Sequence, residues 1–210
     1  MYKFKMDFST KFLSGVCLAF LTTFNSCQQR KNNTIDLNYA LAQIQADTFV
    51  RQIPILDNGT PRRVYYNLRE IEKDFKLSPI ETGVDSIEIR FWFGYNMIDT
   101  LQCLRVYNTK KEWKGELITT SYIPNDKKAL PWIATTQVQS KAPKSGWTFL
   151  INKIVKLGVI TLPDANNIPD YTFATNSRSL IVEISTSKFY RLYSYDEPFY
   201  NSKKIQEAIY

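Results

Sequence analysis

The sequence predicts an α+β fold: one domain, a mostly antiparallel sheet with several helices packed against it. Three observations carry that expectation. "SIEIRFWF" (86–93) alternates apolar and polar residues, the mark of a strand with one buried side. Trp147, Leu150, Ile151, Ile154 and Val155 recur at i, i+3, i+4, i+7 and i+8, the stripe of a core-facing helix. The order of such segments is helix, helix, meander, helix, hairpin, helix, which sets helices against antiparallel strands.

The chain opens on a segment that reads as an address. Lys3, Lys5 and Lys11 make a basic start, and Phe12 to Phe24 is an uncharged run of thirteen residues. That is the length of a secretory signal core and short of the ~20 apolar residues that span a bilayer. Gln28 to Thr34 is polar and reads as a tether. Leu37, Ala40, Leu41 and Ile44, with Asp36 as cap, predict an amphipathic helix over 36–50. Pro54 and Asn58-Gly59-Thr60-Pro61 then break the pattern into a loop. Asn67 and Glu70 have capping-box spacing, and Leu68, Ile71 and Phe75 share a face, which predicts a helix over 68–76 stopped by Ser78-Pro79.

The middle is β-rich. After 86–93, Gly94-Tyr95-Asn96 reads as a turn. "LQCLRVY" (101–107), the polar turn "NTKKEWKG" and "ELITTSYI" (116–123) complete a meander, and "WIATTQVQS" (132–140) is a fourth strand. The alternation slips between Cys103 and Leu104, where a bulge is expected. The striped helix follows, with Ser145 as N-cap and Gly158 at its left-handed C-terminal position. Pro163-Asp164 and Ile168-Pro169-Asp170 mark a long loop. "LIVEIS" and "FYRLYSY" flank Thr186-Ser187-Lys188 as a hairpin. Ile205, Ala208 and Ile209 suggest a closing helix after Pro198. The chain thus divides into a leader (1–26), a tether (27–34) and a single globular domain (35–210).

Composition narrows the chemistry. There is no histidine among the 210 residues, which removes Ser-His-Asp triads, Cys-His pairs and the commonest metal ligand. No phosphate-cradling motif occurs, and the chain has only seven glycines. No cofactor and no metal is expected, and the chain does not read as an enzyme. Loss of the leader removes Lys3, Lys5, Lys11 and Asp7, leaving 24 basic against 19 acidic residues. These are interspersed, so a nucleic-acid partner is not expected. Cys103 is then the one thiol beyond Cys27 and reads as a small buried hydrophobe. Glu88, Asp99 and Glu183 are the carboxylates that a glycosidase-like pair would draw on. Glu88 and Glu183 fall on polar positions of alternating strands, where a solvated carboxylate is the plainer reading.

The aromatics suggest a binding surface. Arg90 and Trp92 fall on the polar side of their strand, and Arg191, Tyr193 and Tyr195 share a face of theirs. An exposed Trp beside an Arg is a common anchor for a protein or glycan partner. The competing expectation, and the commoner fate of aromatics, is that helices cover the sheet and the rings pack inside with their hydroxyls at the edge.

Phe24-Asn25-Ser26-Cys27 resembles the lipobox of bacterial lipoproteins. Ser26 and Cys27 fit; Phe24 replaces the preferred Leu, and Asn25 departs from the small residue. The resemblance implies cleavage before Cys27 and lipidation of that cysteine, hence attachment to a membrane. "VDSIEIRFWFGYNMIDT", "KSGWTFLINKIVKLGVITLPD" and "YRLYSYDEP" are similar to small lipoproteins of Bacteroidota that have no assigned activity. The tether lacks the acidic run of surface-exported members, which favours the periplasmic side of the cell envelope. Two functions follow as expectations: a non-enzymatic, membrane-anchored binding protein, or an immunity or inhibitor lipoprotein that meets a toxin. A His-free glycan hydrolase stands behind both.

Overall fold

The computed structural model describes residues 48–56, 58–94, 100–109, 112–123, 132–173, 179–198, 201, 203 and 205. Strands β1 (Val50–Gln52), β2 (Ile87–Phe93), β3 (Thr100–Asn108), β4 (Trp113–Ile123), β5 (Trp132–Ser140), β6 (Ser179–Thr186) and β7 (Phe189–Asp196) form one sheet. Its order is β1-β7-β6-β2-β3-β4-β5. Every pairing is antiparallel except β1 on β7, which is parallel. Two α-helices are described end to end, α1 (Arg63–Asp74) and α2 (Trp147–Lys156), with a short 3-10 turn at Ala165–Asn167; Lys203 and Ile205 are also helical. The sheet therefore dominates more than the sequence suggested.

The meander and the hairpin form where alternation placed them. Residues 48–50 of the first expected helix are not helical, since β1 begins at Val50; residues 36–47 lie outside those described. The turn at 95–96 and most of the closing helix also lie outside, although Ile205 is buried. No bulge interrupts β3. Cys103 pairs with Trp92 and Ile118, and Leu104 with Phe91 and Leu117, in unbroken register. The slip arose because both faces of this strand are covered, so apolar residues occupy successive positions. The irregularity lies instead between β4 and β5, at Ser121/Tyr122.

Each face carries its own core. On one side α2 lays Ile151, Ile154 and Val155 on Ile87, Ile89, Val182 and Ile184. Gly115 lets this helix approach: a Cβ there would meet the Trp147 ring at 2.6 Å. Ser145 does not cap α2, because Gly146 holds the N-cap position at φ 82°. The C-terminus ends as expected, with Gly158 at φ 64°, its N–H on the Val155 carbonyl, and the Val159 N–H on that of Ile154.

On the other side α1 lays Tyr65, Leu68 and Phe75 on Trp92, Cys103, Ile118 and Ile181. It starts five residues before the expected position, so Asn67 lies inside the helix and forms no capping box. Its end repeats the α2 arrangement: Leu77 N–H reaches the Glu72 carbonyl and Lys76 N–H that of Lys73. Here the left-handed position holds exposed Lys76, at φ 55°. Lys76→Gly relieves that strain and is expected to raise stability by about 0.5–1 kcal/mol. A higher denaturant midpoint at unchanged slope is the readout.

Candidate functional site

The residues expected to form an exposed surface are inside the fold. Register with β3 and β6 turns Glu88, Arg90 and Trp92 to the α1 side of the sheet, and all three are buried there. Trp92 is 0% exposed. Its indole N–H donates to Glu183 Oε2 at 2.8 Å, and its ring meets Phe75 edge-on with centroids 5.1 Å apart. Arg90 is 1% exposed and donates to Glu72 at 2.5 Å, to Glu88 at 2.7 Å and to the Ser78 carbonyl at 2.7 Å. The expectation of a Trp–Arg anchor on the surface is thus overturned. Alternation correctly assigned the face, but α1 covers that face, and its polar side chains find partners there instead of water.

Arg191, Tyr193 and Tyr195 point to the opposite side of the sheet, so the two groups do not converge. They tie the segment after α2 onto β7. Tyr193 Oη donates to the Val159 carbonyl at 2.7 Å and Tyr195 Oη to that of Pro163 at 2.5 Å. Arg191 donates to the Ile160 carbonyl at 2.6 Å and to the Leu162 carbonyl. Loop carbonyls with no ladder of their own are satisfied this way. Both tyrosines are buried and Arg191 is half-buried, so this triad is a brace and offers no stacking platform.

What the α1 side does hold is a file of alternating charges. Arg51 lies 2.8 Å from Glu81, and Glu81 3.9 Å from Arg69. Arg69 lies 2.8 Å from Glu72, and Glu72 2.5 Å from Arg90. Arg90 contacts Glu88 at 2.7 Å, Glu88 contacts Arg105 at 2.8 Å, and Arg105 reaches Glu116 at 3.2 Å. Glu183 branches from the file and accepts from Trp92, Tyr190 and Arg69. The file runs from β1 to β4 beneath α1. Its ends, Arg51 and Glu116, reach solvent, while Glu72, Arg90 and Glu183 at its centre are sealed.

Desolvating so many charges is tolerable only because nearly every donor and acceptor is matched. Arg105 grips Glu88 with two nitrogens, each at 2.8 Å, the strongest geometry for such a pair. Burial pushes the Glu88 carboxyl up, but the Arg105 and Arg90 contacts outweigh it and hold the group below the usual carboxylate range. Glu72 differs. Its Oε2 approaches Arg69 Nη1 without hydrogen-bond alignment. Burial first, and then the neighbouring Glu183 charge, push it up to about 8 against the pull of Arg69 and Arg90. In Glu72, unlike Glu88, burial outweighs the arginine contacts.

Glu88 and Glu183 are therefore buried, arginine-bound carboxylates; Glu183 is fully sealed, and Glu88 borders only a shallow cavity. Asp99 and Cys27 lie outside the described residues. Cys103 is fully buried opposite Trp92 and Ile118, and burial pushes its thiol well up, as fits a small core residue. Two shallow cavities stand out. One of about 270 Å³ lies between residues 84–88 and 107–109. One of about 230 Å³ lies between residues 52–55, the 3-10 turn and Arg191. Both are smaller than the roughly 300–1,000 Å³ of usual small-molecule sites. No helix among the described residues is long and apolar enough to cross a membrane.

Sequence reasoning missed Arg69, Glu72, Arg105 and Tyr190. One signal pointed to them: Glu72 falls on the apolar stripe of α1, seven residues after Tyr65 and three before Phe75. An acid on such a stripe needs a buried cation opposite it. No protein-family model, curated protein or solved structure matches the chain.

Proposed function

We propose that this chain is an envelope lipoprotein, held to a membrane through Cys27 on the periplasmic side, and that it acts by binding a protein or glycan and not by catalysis. The observation that supports binding is the state of the carboxylates. Glu88 and Glu183, which an acid–base pair would use, are engaged with arginines beneath α1. A general acid or base must reach its substrate directly or through one water; Glu183 is sealed from solvent, and both oxygens of Glu88, at the border of a shallow cavity, are held by Arg105. The anchor rests on the basic start, the short uncharged run and the Ser26-Cys27 pair. The partner meets an outer surface of the sheet or its helices, since the aromatic rings once expected to stack on it are inside.

Growth of expressing cells with a clickable fatty-acid analogue tests the anchor. Label is expected on the wild-type chain and is expected to be lost in Cys27→Ala. Equal labelling of both would overturn lipidation at this residue.

A further inference from the structure

The two edges of the sheet are finished differently. At the β7 edge, β1 covers Phe189–Arg191, and farther along the Ser194 N–H donates to the Asp164 carboxylate at 2.9 Å. At the other edge, β5 pairs with β4 alone among the described residues. Edge strands are usually blunted by charge, proline or brevity. From Thr135 to Ser140, β5 runs in unbroken register and contains no charged residue, no proline and no glycine.

The ladder fixes which backbone groups face outward. The Lys141 N–H donates to the Gly115 carbonyl at 2.8 Å, which makes these two a hydrogen-bonded pair. By the two-residue period of an antiparallel ladder, Gln139, Gln137 and Thr135 also bond inward to β4. Thr136, Val138 and Ser140 then turn their N–H and C=O groups to the open side. Their side chains share the face of Ile118 and Thr120, and Val138 is 60% exposed.

We propose that β5 pairs with β5 of a second copy, antiparallel, about a two-fold axis at Val138. Several registers satisfy the outward groups, but this one also matches the side chains. Val138 meets Val138, Thr136 meets Ser140, and Gln137 meets Gln139. Apolar opposes apolar, hydroxyl opposes hydroxyl, amide opposes amide, and no charge opposes its like. About six backbone hydrogen bonds form across the axis. The contact involves few residues and falls below the ~1,000 Å² of a permanent interface, so association is weak and concentration-dependent. It is independent of the anchor and stands or falls without it.

Sedimentation of the full chain in detergent, over a concentration series, tests the pairing. A monomer–dimer equilibrium is expected. Val138→Lys and Val138→Glu, both at an exposed site, are each expected to weaken self-association at least about tenfold, because like charges then meet on the axis. An equimolar mixture of the two is expected to restore it, as no merely structural effect would. The proposal is overturned if the wild type stays monomeric, if the charged variants associate like wild type, or if the mixture does not recover. Capture of a different protein through β5 by an otherwise monomeric chain would also overturn it.

Discussion

Glu183→Ala is expected to cost about 3–5 kcal/mol of unfolding free energy, the scale on which a buried ion pair fails when one partner is removed. Glu183 is fully buried and accepts from three different elements: Arg69 on α1, Trp92 on β2 and Tyr190 on β7. Alanine leaves the buried Trp92 indole N–H and Tyr190 phenol O–H without their acceptor and takes one carboxylate partner from Arg69. The check is the denaturant midpoint at constant slope. Trp92→Phe removes one of those donors, so the double variant is expected to lose less than the sum of the singles, by at least about 0.5 kcal/mol. A Glu183→Ala loss under about 1 kcal/mol would mean that the carboxylate is solvated and the file does not exist as described.

The second large effect is a pH dependence seated at Glu72. Its folded-state pKa is pushed to about 8, against an ordinary value of 4.5, chiefly by burial. Between those values the folded chain binds a proton that the unfolded chain has released. Stability from this group is therefore fully present below about pH 4.5 and is lost as pH rises through 8. From pH 5 to pH 9 the loss is expected to be about 2–3 kcal/mol, less than the full shift implies because α1 can relax around the new charge. Glu72→Gln cannot ionise. Whatever constant offset the amide introduces, the difference in unfolding free energy between wild type and variant should slope with pH across this window. A flat difference would place the Glu72 carboxyl in the usual carboxylate range.

Much of the sheet was legible because alternation is a local signal. The strands at 87–93, 101–107, 116–123 and 132–140, and the hairpin around Thr186-Ser187-Lys188, lie where two-residue periodicity put them. Even the division of residues between the two faces of β2 and β7 was correct. What alternation cannot say is what covers a face. Arg90 and Glu88 look identical to a sequence reader whether water or a helix lies opposite. Their partners Arg69, Glu72 and Arg105 are distant along the chain. The bulge expected at Cys103–Leu104 failed for the same reason: a strand covered on both sides loses its alternation without losing its register. The helix starts also escaped, because α1 opens at Arg62 and α2 at Gly146 with no side-chain cap to announce them.

The strand order has a mechanical consequence. β1, where the described chain enters the sheet, and β5, with its open edge, are the two ends of a seven-strand row. At about 4.8 Å per strand, the six steps between them span about 29 Å. The sheet thus sets β1 near one rim and, among the described residues, an unpaired strand edge at the other. A second copy paired along Thr136–Ser140, as proposed above, would lie six strands away from β1.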